Sequence, residues 1–355
     1  MKNKRKVVDL FCGAGGLTLG FEKQNFESVL AIDMWSNAID TFNNNREKKV
    51  GIVKDISEVD EEFIKQYVKE HVSGVIGGPP CQGFSLAGRR SEDDETNKLY
   101  QEYFKTLSII KPDFFVIENV TGILSMKNGE VKEDIIKRAK KIGYNVYLNK
   151  LVASDYGVPQ NRVRVFFVGI KKELDKGNFE FPKKFSYKVT CEEAISDLPS
   201  LDNNEDNTKY KFLPNSEYQK YMRKNSNMVY NHEQTFHTDE TRKLISMVPE
   251  GGGIKDLPES VRGDRKYSSL LRRMNSKAQS NTIDTGHRTY FHYKENRILS
   301  VREAARIQSF PDDYIFSGSK VNQYKQVGNA VPPLLAEQVA KSIVNYLYGS
   351  EKWGT

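Results

Sequence analysis

Val75-Ile76-Gly77-Gly78-Pro79-Pro80-Cys81-Gln82-Gly83-Phe84-Ser85 is the stretch around which the rest of the chain is organised. Val75 and Ile76 read as the end of a short buried strand, and two glycines and two prolines then force the backbone out of it. Each proline fixes its own φ and pushes the residue before it towards extended geometry, so the turn presents Cys81 on a constrained backbone. Past it, Gly83 permits close approach of another group. The polar run that continues to Lys98 is long for a connection in a compact domain, a length typical of lids over active sites or of disordered segments. A lone cysteine at a turn is ordinarily a packing residue. The rest of the chain weighs against that reading here.

Outward from this turn, strand and helix patterns alternate. Val7 to Phe11 is a short apolar run, Cys12 to Gly16 a glycine turn, and Leu17 to Lys23 a helix start. Such a turn brings backbone N–H groups and a helix N-terminus to a small ligand. The spacing of Gly13 and Gly15 would open a dinucleotide fingerprint, but Thr18 occupies its last glycine position. Ser28 to Ile32 is a second strand ending in Asp33, placed either to accept from a ribose or to cap the helix at Trp35 to Phe42. Strands at Val50 to Val53 and Val75 to Gly77 follow, the first leading into Asp55 and Ile56. A helix at Leu99 to Ile110 stops at Lys111-Pro112, and a strand at Phe114 to Ile117 runs into Glu118-Asn119. A helix at Val131 to Lys141 and strands at Tyr144 to Val152 and Val163 to Val168 complete about seven strands. This predicts an α/β fold with a doubly wound, mostly parallel sheet, whose ligands gather at the carboxyl ends of the strands. Cys81, Glu118, Asp33 and Asp55 all fall at such ends.

The alternation breaks near Phe181. We expect a first domain over 1–181, a second, smaller and irregular one over 182–321, and a segment over 322–355 returning to the first through the core-facing helix Pro333 to Tyr348. The 355 residues carry a net charge of +7. Between Val261 and Ser300 nine Lys or Arg stand against three Asp or Glu, interleaved with Tyr267, Tyr290, Phe291 and Tyr293. That pattern suits a polyanion. No apolar run approaches the ~20 residues of a membrane span. Three scattered cysteines, Cys12, Cys81 and Cys191, make neither a disulfide frame nor a thiolate metal site, and point to a reducing, cytoplasmic compartment. The pairs His232/His237 and His287/His292 lack further ligands at metal spacing, so we expect no metal and place these histidines at the surface or between domains.

Six motifs stand in order: Asp9-Leu10-Phe11-Cys12-Gly13-Ala14-Gly15-Gly16, Gly78 to Ser85, Glu118-Asn119-Val120, Gln160-Asn161-Arg162-Val163-Arg164, Arg302 to Asp312, and Gln326-Val327-Gly328-Asn329-Ala330-Val331-Pro332. The chain resembles the DNA (cytosine-5-)-methyltransferase family of bacterial restriction-modification systems. The resemblance implies a Rossmann-like, S-adenosylmethionine-dependent methyltransferase fold with a target recognition domain in the variable span. It implies catalytic roles for Cys81, Glu118, Asn119, Arg162 and Arg164. A cofactor pocket would comprise Phe11, Gly13, Ala14, Gly15, Gly16, Leu17, Asp33, Met34, Trp35, Asp55, Ile56, Pro80, Leu99, Asn329 and Ala330. Gln82, Ser85, Arg89, Arg90, Arg272 and Arg273 are the candidates for DNA contact. The chemistry is coherent with these residue types: a thiolate adds to C6 of a flipped-out cytosine, and a proton-donating carboxyl near N3 makes C5 nucleophilic. The expected partners are S-adenosyl-L-methionine, with S-adenosyl-L-homocysteine as product, double-stranded DNA, and a cognate endonuclease that forms no stable complex with a monomeric enzyme associated with the nucleoid. A tRNA cytosine methyltransferase and a DNA binder without chemistry are the alternatives. Gly83-Phe84-Ser85 disfavours the first, and an intact Cys81, Glu118 and Arg164 the second.

Overall fold

The structure is a computed structural model, which describes residues 4–80, 99–201, 206–262, 271–286 and 290–349. The expected nucleophile Cys81, the loop residues Gln82, Ser85, Arg89 and Arg90, and His287 lie outside the described residues. Seven strands form one sheet: β1 (Arg5–Leu10), β2 (Phe26–Asp33), β3 (Gly51–Val53), β4 (Gly74–Gly77), β5 (Phe114–Asn119), β6 (Tyr144–Val152) and β7 (Val163–Lys171). Their order is β3-β2-β1-β4-β5-β7-β6. All pairings are parallel except those of β7, which runs antiparallel to both β5 and β6. The doubly wound, mostly parallel sheet read from the sequence is the sheet found.

Helices α1 (Gly16–Glu22), α2 (Ser36–Asn44), α3 (Glu61–Tyr67), α4 (Leu99–Ile110) and α5 (Glu130–Lys141) connect these strands. Alternation along each strand sends its side chains to two separate layers. Leu30 and Ile32 join Ile64, Tyr103, Leu107 and Ile135 from α3, α4 and α5, whereas Ala31 packs with Ile39 and Phe42 of α2. Strand pairs use glycine where an aromatic ring lies across the gap: a Cβ on Gly169 would fall 1.8 Å from the ring of its partner Phe115.

The chain divides into two compact units, Met1–Val152 with Val163–Lys184 and Pro333–Thr355, and Ala153–Arg162 with Phe185–Pro332. These limits differ from the expected 181/182 and 321/322. Gln160 accepts from Ile283 N–H at 2.9 Å, and Arg162 donates to Ile283 and Gly328 carbonyls, which keeps residues 153–162 in the second unit. That unit contains α6 (Cys191–Ile195), α7 (Glu217–Arg223), α8 (Asp239–Ser246), α9 (Glu259–Arg262), α10 (Val301–Ile307), α11 (Lys320–Asn329) and the short parallel pair β8 (Arg272–Arg273) and β9 (Tyr290–Phe291). Gln308 Nε2 donates to the Val327 and Ala330 carbonyls at 2.8 and 2.9 Å, so α11 also stays with it. The first unit recovers the chain only at α12 (Pro333–Tyr348). Among the described residues no helix is long and apolar enough to cross a membrane.

Helix α12 lies against α1 at a separation that only glycine permits. A Cβ on Gly20 would fall 2.4 Å from Ala336 Cβ, 2.5 Å from Glu337 N and 2.7 Å from the Pro333 carbonyl oxygen. Two of those three atoms are backbone, so the contact cannot relax by a rotamer change. Asp9 of β1 is fully buried and accepts a hydrogen bond from the Thr18 hydroxyl of α1, and among the described residues its Oδ1 finds no hydrogen-bond partner. Burial raises its carboxyl to about 7, against the lowering effects of Thr18 and Arg46.

Two outcomes follow. Gly20→Ala should overpack the helix pair, at ~1–3 kcal/mol, and lower the melting temperature by roughly 3–8 °C; an unchanged melt would remove this contact from the account. The Asp9 carboxyl is raised in the fold relative to the unfolded chain, so the native state binds the extra proton and loses stability as pH rises through about 7. The melting temperature of Asp9→Asn relative to wild type should therefore climb between pH 5 and pH 8. A constant difference across that range would contradict the assignment.

Candidate active site

Phe11 leaves β1 with φ 62°, and Gly13 and Gly15 follow at 52° and 83°. Three left-handed residues in five make a turn that ordinary side chains resist. Two contacts hold it: Cys12 N–H donates to the Ile32 carbonyl at 3.0 Å, and Gly13 N–H to Asp33 Oδ2 at 2.8 Å. Asp33 Oδ1 accepts from Trp35 N–H at 2.9 Å. The carboxylate thus joins the turn after β1 to the start of α2, and burial raises its pKa against those backbone donors. Among the described residues no atom outside the turn lies within 4 Å of where a Gly13 Cβ would stand. Met34 is exposed and Trp35 half-buried beside it. Ala14, Leu17 and Ile56 bury their side chains and offer only backbone to a ligand, while Asp55 caps a short 3-10 turn by accepting from Ser57 N–H and Oγ.

A second cluster sits at the ends of β4 and β5. Tyr103 of α4 donates between the Val75 and Val116 carbonyls, at 2.9 and 3.0 Å, which fastens these strands side by side. The proline turn leaving β4 is fixed by Asn119, whose Nδ2 donates to the Pro79 carbonyl at 2.8 Å. A Cβ on Gly78 would stand 3.2 Å from Glu118 Oε2, so the chain approaching Cys81 passes directly against that carboxylate. Arg164 Nε donates to Glu118 Oε1 at 2.8 Å, and Arg164 also donates to the Val163 carbonyl. Both side chains are largely enclosed, at 13% and 10% exposure, a setting in which an ion pair holds its geometry against solvent. Leu99, at the start of α4, is half-buried against the sheet's core. The structure thus gathers Glu118, Asn119, Pro80 and Arg164 at one end of the sheet.

In the second unit the outcome is mixed. Arg162 is buried, and its terminal nitrogens donate to Ile283 and Gly328 carbonyls, a structural bond between two segments rather than a contact with a reacting group. Asn329 ends α11 exposed, and Ala330 is buried just beyond it. Arg273 is corrected: it is buried at 7% exposure, and its guanidinium donates to the carbonyls of Val248, His292, Glu295 and Ile245 and to Asn296 Oδ1, which leaves no donor for a phosphate. Arg272 is half-buried in β8. Two other cations of the basic stretch also turn inwards, Arg297 onto Glu295 and Glu303 and Arg262 onto the Lys255 and Leu257 carbonyls. The histidines depart from expectation too. His232 and His292 are buried, with burial lowering both, His292 to about 4.

Asp9, Gln160 and Gln308 stand inside motifs already singled out in the sequence, but their structural partners lie elsewhere in the chain and single none of them out locally; Arg46 lies outside every motif.

A family model for C-5 cytosine-specific DNA methylase matches residues 5–345. The chain is 38% identical over 370 residues to the Type II methyltransferase M.DdeI of Desulfomicrobium norvegicum, covering 96% of this chain and 88% of that protein. It is 38% identical to the Type II methyltransferase M.FnuDI of Fusobacterium nucleatum, covering 98% and 96%. Among solved structures, a candidate DNA modification methyltransferase encoded within an E. coli prophage superposes with a TM-score of 0.82 at 29% identity, covering 97% of this chain and 99% of that one. DNMT2 of Spodoptera frugiperda shares the fold, with a TM-score of 0.64 at 16% identity over 96% and 99% of the two chains. With the match running from β1 into α12, the chain belongs to the C-5 cytosine-specific DNA methylase family and is a DNA (cytosine-5-)-methyltransferase.

Proposed function

We propose that the enzyme transfers a methyl group from S-adenosyl-L-methionine to C5 of a cytosine flipped out of double-stranded DNA, through a covalent adduct of Cys81. The observation that carries this reading is the enclosed Glu118–Arg164 pair, to whose strand Asn119 ties the proline turn that leads into Cys81. The other two cysteines support it by exclusion. Cys12 and Cys191 are buried, and desolvation pushes both thiols up, the second to about 12, so neither supplies a thiolate at neutral pH.

The cofactor's methylsulfonium supplies an electrophilic methyl group when bound. The residues present fit it: among the described residues nothing outside the turn crowds Gly13, and the Asp33 carboxylate, with lone pairs beyond those its backbone donors use, can accept from ribose hydroxyls. Exposed Met34 offers an apolar surface to the adenine. Residues Phe11 to Leu17, Asp55, Ile56, Pro80 and Leu99 complete the part of the proposed pocket that the first unit supplies.

On the base, Cys81 adds to C6 as Glu118 gives a proton to N3, so the ring electrons reach C5 rather than leaving a bare anion. Arg164 keeps Glu118 turned towards the ring. After C5 has gained the methyl group, its proton leaves to a base or water, the thiolate is eliminated from C6, and the ring regains its double bond as N3 returns its proton to Glu118. The second unit, as target recognition domain, would read the site, with Arg272 among its phosphate contacts. The Type II relatives support a role in modification, in which the enzyme protects sites cut by a companion endonuclease; action in the cytoplasm as a monomer, without a lasting complex with that partner, is part of the same proposal.

Transfer of labelled methyl from S-adenosylmethionine to plasmid DNA tests the reading, with bulk tRNA as the competing acceptor. Cys81→Ala should abolish label in DNA while DNA binding persists, and Glu118→Gln should reduce kcat by ~10²-fold or more. Label confined to tRNA, or retained in the cysteine variant, would overturn the proposal. S-adenosylmethionine should also raise the melting temperature where NAD does not; equal shifts would count against the assigned pocket.

A further inference from the structure

Arg46 lies just past α2 and far in sequence from the glycine turn, yet its guanidinium forms the back wall of that turn. Nε and Nη2 donate to the two oxygens of Glu22 at 2.7 and 3.0 Å, Nη1 donates to the Phe42 carbonyl at 2.9 Å, and Nη2 reaches the Gly15 carbonyl at 3.5 Å. The guanidinium plane also covers the Phe42 ring, its central carbon 3.8 Å from the centroid. Only 8% of the side chain is exposed. From the other side, a Cβ on Gly15 would stand 2.8 Å from the Phe42 ring and 3.0 Å from both terminal nitrogens of Arg46. Gly15 is the N-cap of α1, at φ 83°, and no side chain caps that helix. Its carbonyl accepts the first helical bond from Leu19 N–H as well as the arginine, and its own N–H closes the turn onto the Cys12 carbonyl.

We propose that Arg46 is a positioning residue for cofactor binding: it fixes the Gly15 peptide, and through it the backbone path of the Gly13 to Gly16 turn along the ligand's side. This inference rests on the reading of that turn as the S-adenosylmethionine site. Each part of the wall needs arginine. A planar fork gives a bidentate grip on Glu22, a stack on Phe42 and a donor to a carbonyl in one fixed geometry; a lysine ammonium can satisfy one of these at a time. Glu22 orients the fork from α1, and Phe42 supports it from α2, so the turn is clamped by the two helices that flank it.

Calorimetric binding of S-adenosylhomocysteine to the full chain without DNA, with Arg46→Met, Arg46→Lys and Glu22→Gln alongside wild type, separates this from simple bracing of α1 against α2. Arg46→Met should raise the Kd about tenfold, and KM for S-adenosylmethionine should rise by a similar factor, far more than kcat at saturation falls. Arg46→Lys, which keeps the charge and is the milder change should the methionine variant fail to fold, should lie in between. Glu22→Gln keeps one acceptor oxygen for the fork, and with it the arginine's approach to Gly15, but loses the charge of the pair, so it should lower the melting temperature while its Kd stays within about threefold of wild type. An unchanged Kd in both Arg46 variants overturns the inference, as does an equal loss in Glu22→Gln, which would assign the effect to bracing. Absence of binding in wild type would instead remove the cofactor reading itself, and this inference with it.

Discussion

Between β5 and β7 the direction of the sheet reverses, and the chemistry at the sheet's end depends on that reversal. Glu118 pairs with Phe166 across the two strands, and Arg164 lies two residues before Phe166, on the same face. It is therefore the diagonal neighbour of Glu118, within reach of a long side chain. Were β7 parallel, its first residues would lie at the opposite end of β5, about 20 Å away at ~3.3 Å per residue. A run of parallel strands supplies carboxyl ends that carry acids and turns; the one antiparallel strand delivers an arginine to the same edge from a segment that begins there. Asn119, one residue past Glu118, faces the other way and holds the Pro79 carbonyl instead.

The second unit meets a different constraint. It contains short helices and one two-residue strand pair, so most of its backbone carbonyls have no ladder to join. Buried arginines take that place. Arg302 donates to the carbonyls of Tyr230, Pro311 and Tyr314, and Arg306 grips Asp312 and Asp197 as well as the Ala194 carbonyl. Arg297 makes a bidentate pair with Glu303 at 2.7 Å on both arms, which holds that carboxyl far below the ordinary range. Such groups are costly to bury and far more costly to leave half-satisfied, so each fork commits several loops to a single arrangement. An irregular chain is made stiff by guanidinium geometry rather than by secondary structure.

This contrast explains how much could be read in advance. The sheet, its order of strands and helices, and the cluster of Glu118, Asn119 and the glycine turn were legible because period-two runs ending in acids or glycines are local patterns. The fate of the arginines was not. Nine basic residues between 261 and 300 suggest an outward-facing patch, but charge along a sequence does not say which side chains point inwards, and Arg273 and Arg297 are buried. For the same reason the sequence suggests a surface or interdomain place for His232, which accepts from the Ser300 hydroxyl and donates to the Pro199 carbonyl in the interior of the second unit. Arg46 stands in no motif, and its partners across the turn, Glu22 and Gly15, are 24 and 31 residues away. Nor could the unit boundary be placed by composition, because Gln160 and Arg162 bind through single side chains to segments more than 100 residues downstream.

The packing of α12 on α1 has a consequence for synthesis of the protein. The first strands and α1 emerge early from the ribosome, but the helix that covers Gly20 is made after the whole second unit. Until then the face of α1 that receives Pro333 and Ala336 stays open on the nascent chain. Emergence of α12, rather than folding of the N-terminal strands, is thus the event that covers it.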